Sequence, residues 1–304
     1  MSSMSSAVET ISDHILTHLM QSERKPLFVA LQGPQGSGKS YLSALVMDRL
    51  SAPPHNIRVC VLSLDDIYLT HDGLTALAHA HPSNHLWNGR GQPGTHDVLL
   101  GTRVLNKLRE GFEPVELPRF DKSLFAGEGD RLPLDGTGSM ITPPVDVVLF
   151  EGWCIGFCPV SNSALESTWE GKWKQELTLL KLDPQLAKLE DVVEINDALQ
   201  QYIPLWRLFN IFVQLQPVHV EGTSQYSVIY KWRLEQEHYM KAHNGGKGMS
   251  DDQVKKFVDR YIPGYVFFGD GITQGAPDFV SPWLGKGLRI VLSANRDVVG
   301  VKSF

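Results

Sequence analysis

Eight consecutive residues limit what this chain can fold into more than any others. Gly33, Pro34, Gln35, Gly36, Ser37, Gly38, Lys39 and Ser40 follow an apolar run at 27–31 and precede Leu42, Leu45, Val46 and Leu50, which recur at helical spacing. The stretch fits G-x-x-x-x-G-K-[ST]. Its small residues let successive backbone N–H groups turn around a β-phosphate at the positive end of a helix. Lys39 then reaches the β- and γ-phosphates, Ser40 offers a hydroxyl to Mg²⁺, and Tyr41 follows on the same nucleotide side. A glycine-rich bend with no ligand would also dispense with side chains, but a full match in a strand–loop–helix setting favours a nucleoside triphosphate. Such a loop must join a buried strand to a helix, so the expected class is α/β, a P-loop NTPase-type three-layer fold.

The rest of the chain supplies the matching elements. Val8, Ile11, Ile15 and Leu19 predict an amphipathic helix ahead of the first strand. Apolar runs at 57–64, 145–150, 208–215 and 288–293 read as further buried strands. Helices are expected at 39–50, closed by Pro53 and Pro54, and at 184–202, 224–242 and 251–261, the last opened by a Ser250–Gln253 capping box. Thr95 reads as the cap of a helix running to Glu110, with Gly111 as its stop. Residues 70–94 and 118–144 read as long irregular segments, too long for plain connectors. One domain over residues 1–304 accounts for this pattern.

Composition narrows the partners. With 28 Lys and Arg against 34 Asp and Glu the net charge is −6, which argues against a surface that tracks nucleic-acid phosphates. Three cysteines, Cys60, Cys154 and Cys158, are too few for a disulfide framework, and they read as buried thiols in a reducing compartment. No run approaches the roughly 18 apolar residues of a membrane span, and MSSMSSAVET has neither the basic nor the apolar part of a secretion signal. The expectation is a cytoplasmic protein, with nuclear presence and oligomeric state left open.

P-loops serve motors, GTPases and kinases alike, so other residues must decide. The base-reading N-K-x-D of GTPases fails at Arg109 in Asn106-Lys107-Leu108-Arg109 and has the wrong spacing at Asn295-Arg296-Asp297. Asp135-Gly136-Thr137-Gly138 matches D-x-x-G, but no strand precedes it. Two acids stand instead where strands are expected to end. Asp65-Asp66 follows the run at 57–64, where a carboxylate could take a hydroxyl proton or help hold Mg²⁺, or simply solvate a turn. Glu151 follows the run at 145–150, as a metal-orienting acid or a capping glutamate. His71, His79, His81 and His85 lack metal-ligand spacing and read as loop residues.

Several stretches together resemble one family. ALQGPQGSGKS (30–40), LSLDDIYLT (62–70), RGQPGTHD (90–97), LPRFDKS with GEGDR (117–131), VVLFEGWCIGF (147–157), YKWRLEQE (230–237) and MSDDQVKKFVDRYIPGY (249–265) are similar to the D-glycerate 3-kinase-like family. That family, with its fungal ATP-dependent kinase members, lies within the phosphoribulokinase, uridine kinase and pantothenate kinase group. The resemblance implies a five-stranded parallel sheet and transfer of the ATP γ-phosphoryl group to a hydroxyl of a small, anionic acceptor such as glycerate. It implies ATP and Mg²⁺ as cofactors, with Ser40, Asp65 and Glu151 around the metal.

The same resemblance places Asp65 as general base and Lys39, Arg119 and Arg233 as groups that steady the migrating phosphoryl charge. Arg90, Thr95, His96, Asp97, Arg119, Asp121 and Lys122 fall on the acceptor side, and Asn295 falls toward the adenine. His96-Asp97 could equally open a helix, and Arg233, near Glu235 and Glu237, could equally form a surface ion pair. Residues 159–181 read as a family-variable insertion. The open alternatives are a nucleoside- or pantothenate-type kinase and a nucleotide-binding regulator without transfer activity.

Overall fold

Leu27–Gln32 (β1) is buried at every position, as a strand covered on both faces must be. In the computed structural model, which describes residues 3–243 and 245–304, β1 lies within a six-stranded sheet. The other strands are Val59–Ser63 (β2), Val147–Gly152 (β3), Ile211–Pro217 (β4), Gly287–Leu292 (β5) and Val298–Ser303 (β6). Their order is β6-β5-β4-β1-β3-β2. Five strands run parallel, as expected, and β6 adds an antiparallel edge to β5. β6 escaped the sequence reading because its residues are exposed or half-buried, so it carries no unbroken apolar run.

Alternation along β1 feeds two cores. Leu27, Val29 and Leu31 point to the side covered by Ser3–Gln21 (α1) and Lys39–Ser51 (α2), where Ile11, Ile15, Val46 and Leu50 pack. Phe28 and Ala30 point to the larger core, with Phe150, Phe212, Trp206 and Trp283. His71–Ala80 (α3), Val98–Glu110 (α4), Leu189–Leu199 (α5), Ser227–His243 (α6), Asp251–Asp259 (α7) and Ile262–Phe268 (α8) complete the main helices.

Local details correct several expectations. Residues 70–94 are not one loop: Thr70 Oγ1 accepts from the Gly73 N–H at 3.2 Å and caps α3, and a tight turn follows at His85–Trp87. Only Leu74 of α3 is buried, so its apolar periodicity is faint. α4 starts at Val98, not at Thr95, because the Asp97 carboxylate accepts from the Leu100 N–H at 2.9 Å. Gly111 closes α4 with φ of 68°, as expected. Residues 118–144 hold a short ribbon, Phe120–Asp121 with Asp130–Arg131, and Ser139–Ile141 pairs with Val115–Leu117 just ahead of the segment. The 184–202 helix begins at Leu189 and gives way to a tight turn at Gln200–Tyr202. The Ser250–Gln253 capping box is present. Residues 159–181 pack into the domain, with Trp173 buried and its ring 5.9 Å from that of Phe267.

Candidate active site

Three polar groups meet where β1, β2 and β3 end. Ser63 lies across from Glu151 in the β2–β3 pairing, and Glu151 lies across from Leu31 in the β1–β3 pairing. The phosphate loop therefore leaves β1 beside Glu151, which belongs to β3 itself rather than to the turn after it. Asp65 follows β2 in the tight turn Leu64–Ile67, where its N–H donates to Ser63 Oγ at 3.2 Å. Ligands of open α/β sheets bind at such carboxyl ends.

The loop at 33–40 is shaped by what it packs on. Gly36 has φ of 70°, and a Cβ there would lie 2.6 Å from the Trp232 carbonyl carbon, so only glycine lets the loop sit against α6. The Gln35 N–H donates to the Tyr265 hydroxyl at 3.2 Å. Lys39 is half-buried and donates to the Pro34 carbonyl at 3.1 Å, folded across the loop it serves. Burial lowers its pKa, while Glu151 and Asp65 work to keep the ammonium charged. Ser40 Oγ donates to Glu151 Oε1 at 2.7 Å, and Tyr41 beside it is exposed.

After β2 comes a cluster of charges and rings. Asp65 pairs with Lys122. Burial alone would raise the Asp65 carboxyl, but the Lys122 charge and hydrogen bond override it and, with His96 and Lys39, bring it down to about 2. Asp66 goes the other way, raised to about 6 by burial and by Asp65, although the Phe120 N–H donated to it at 3.3 Å resists. His96 is buried, stacks on Tyr68 with ring centres 4.4 Å apart, and is pulled down to about 3 by burial.

The predicted acceptor residues divide by what they touch. Asp65, Lys122 and His96 converge. Arg90 instead donates to the carbonyls of Gly127 and Glu128 and lies 5.5 Å over the Phe120 ring, bracing the 119–131 segment. Thr95 Oγ1 donates to the Gln92 carbonyl at 2.7 Å, inside its own loop. Asp97 caps α4 and pairs with Arg131 at 2.9 Å. Arg119 is exposed on the ribbon, and Asp121 is committed to a turn with Ser123.

Arg233 follows Trp232, on which the loop packs, but its side chain is engaged elsewhere. It is buried 2.8 Å from Glu237, outside hydrogen-bond geometry, with its guanidinium 5.3 Å over the Phe257 ring. Asn295 accepts from Lys231 Nζ at 2.8 Å. That pair lies near an apolar slot of about 360 Å³ lined by Val218, Val220, Val228, Leu292 and Ala294.

Three further residues, which the sequence does not single out, make contacts that hold these loops and His96. Arg296 donates through Nε to the Gly36 carbonyl at 2.7 Å and through Nη1 to Glu235 at 2.6 Å, tying the β5–β6 turn and α6 to the phosphate loop. Arg260 holds the 88–90 backbone through the carbonyls of Asn88 and Arg90. Tyr202 hydrogen-bonds His96 at 2.7 Å. Arg260 lies within the family-like stretch 249–265, whereas nothing local to the sequence marks Arg296 or Tyr202.

Known proteins share this arrangement. No protein-family model matches the chain. It is 35% identical to the "Probable ATP-dependent kinase TDA10" of Saccharomyces cerevisiae, over 97% of this chain and 94% of that one. It is 32% identical to the chloroplastic D-glycerate 3-kinase of Arabidopsis thaliana, over 84% of this chain and 51% of that one. The solved D-glycerate 3-kinase from Cryptococcus neoformans var. grubii superposes with a TM-score of 0.86 at 39% identity, over 98% of this chain and 99% of that one. A sheet of this order, with a phosphate loop facing an acid across its carboxyl edge, is therefore a P-loop kinase: an ATP-dependent phosphotransferase with an alcohol acceptor. More narrowly, the chain belongs to the D-glycerate 3-kinase-like family. Among the described residues no helix is long and apolar enough to cross a membrane.

Proposed function

We propose that this kinase phosphorylates D-glycerate or a small hydroxy acid of similar shape. The observation that carries the reading is the Asp65–Lys122 pair at the end of β2, whose charges act on Lys39 of the phosphate loop. One member suits a hydroxyl and the other a carboxylate, side by side. In the reaction, the backbone N–H groups of the loop and Lys39 hold the β- and γ-phosphates, and Asp65 orients the incoming hydroxyl. The apolar slot beside Lys231 and Asn295 is where the base would lie.

A carboxylate near 2 is a weak base for an alcohol. Phosphoryl transfer through a loose transition state asks mainly for alignment, and the proton leaves late, as the new P–O bond makes the alcohol acidic. An acceptor carboxylate would also compete for Lys122. Drawing that ammonium off Asp65 would restore some of its basicity at the moment the substrate is in place.

Ser40 and Glu151, joined at 2.7 Å, form a hard-oxygen pair that fits Mg²⁺ directly or through water, and the charges of Glu151 and Asp65 both act on Lys39 beside them. When bound, the ion neutralises charge on the β- and γ-phosphates. The test is ATP consumption over D-glycerate, pantothenate and uridine. D-Glycerate is expected to raise turnover far above background hydrolysis, and a preference for either of the others would reject the proposed acceptor.

A further inference from the structure

Close to the Asp65 turn stands a histidine, His96, whose protonation pattern is fixed by its neighbours. Tyr202 is buried, and its phenolic oxygen accepts from the Gly94 N–H at 2.9 Å. The same oxygen lies 2.7 Å from His96 Nδ1. Its single hydrogen then has one acceptor within reach, which is Nδ1. The reverse arrangement, with the hydrogen on Nδ1, would strand a buried phenol hydrogen without an acceptor. A neutral imidazole that accepts at Nδ1 carries its hydrogen on Nε2.

That Nε2 is buried and has no partner, although His96 as a whole is only 5% exposed. The Tyr68 ring stacked on one face and the Tyr202 hydrogen bond together prevent the imidazole from turning to find one. Burial keeps the ring neutral, with its pKa pulled to about 3. The 95–97 backbone pairs with the 67–69 backbone just after Asp65, the Leu69 N–H donating to the Thr95 carbonyl at 2.9 Å and the Asp97 N–H to the Ile67 carbonyl at 2.7 Å, so the ring is held beside the Asp65 turn and feels its charge.

We infer that His96 Nε2–H is a dedicated donor for a second oxygen of the acceptor, adjacent to the hydroxyl that Asp65 receives, and that Tyr202 is the positioning residue that sets the tautomer. This rests on the acceptor reading given above and adds a rule of selectivity to it. A hydroxy acid with oxygens on neighbouring carbons satisfies both Asp65 and His96. An analogue lacking the second oxygen leaves a buried N–H unpaired, which is the situation that sites of this kind reject most strongly.

Two measurements on the full-length protein test it. In the first, the ring-nitrogen ¹⁵N spectrum of His96 should show a protonated Nε2 and a bare Nδ1 across the neutral range; a hydrogen on Nδ1, or a charged ring near neutrality, would overturn the inference. In the second, kcat/KM is compared for D-glycerate and 3-hydroxypropionate, which lacks the C2 hydroxyl. Wild type should favour D-glycerate by roughly 10⁴-fold. Tyr202→Phe should shrink that preference by about tenfold or more through the acceptor KM, with the ATP KM unchanged. A wild-type preference below about tenfold, or equal losses on both acceptors, would defeat the inference while leaving glycerate as a substrate. Failure of wild type to use D-glycerate at all would instead defeat the acceptor reading, and the tautomer would then stand or fall on the spectrum.

Discussion

The two halves of the active site are held by different means. The nucleotide side is made of backbone: one run of residues whose amides are shaped by a glycine pressed on Trp232 and by links to Tyr265 and Arg296. The acceptor side is made of side chains drawn from separated segments, joined by the Asp65–Lys122 pair, the Tyr68–His96 stack and the Arg260 contacts to the 88–90 backbone. Amides cannot be substituted, so the first half tolerates change only where small residues are kept. Side chains can be exchanged one at a time, so the second half is where acceptor preference can drift while the fold persists.

If the halves are separable, variants on each should fail differently. Asp65→Asn should show the largest loss, on the order of 10²–10⁴-fold in kcat, with ATP affinity by calorimetry unchanged. A matching loss of ATP binding would dissolve the distinction. Lys122→Ala should change the pH profile as well as the acceptor KM. In wild type the folded pKa of Asp65 is depressed to about 2, so the stability this pair adds is present above the ordinary 3.8 and lost as pH falls toward 2. Without Lys122 burial meets less opposition and the carboxyl rises from about 2, moving the acid limb of kcat upward. An unmoved limb would mean that Lys122 does not control Asp65.

Arg296→Ala tests the nucleotide half and should be milder, raising the ATP KM about tenfold with little change in the acceptor KM, as expected for loss of a charge-assisted hydrogen bond to the loop. Equal effects on both substrates would show that the β5–β6 turn serves the whole site. The smallest effect belongs to Asp66. Its folded pKa is raised to about 6, so its protonated form is the stable one and its contribution is lost as pH rises through that value. Asp66→Asn should raise Tm by about 2–4 °C at pH 7.5 and by less at pH 5. A uniform shift at both pH values would exclude titration as the cause.

Legibility from sequence followed the same division. The phosphate loop, β1, the Ser250–Gln253 box and the Gly111 stop were readable because each is a local pattern with one physical meaning. Asp65 and Glu151 were readable because strand ends locate them. The acceptor side was readable only as a set of stretches. Whether Arg90 faces a substrate or the carbonyls of Gly127 and Glu128 depends on how two distant loops meet. Thr95 reads as the cap from sequence, and only the turn's geometry gives that place to Asp97. Arg296 reaches Gly36 from 260 residues away, a contact no local pattern encodes.

A crystal structure of the enzyme with a non-hydrolysable ATP analogue and D-glycerate tests the central claim most directly. The reacting hydroxyl should lie within about 2.6–3.2 Å of the Asp65 carboxylate, facing the γ-phosphate held by the loop. A hydroxyl held by another group, with Asp65 turned away from the loop, would contradict it.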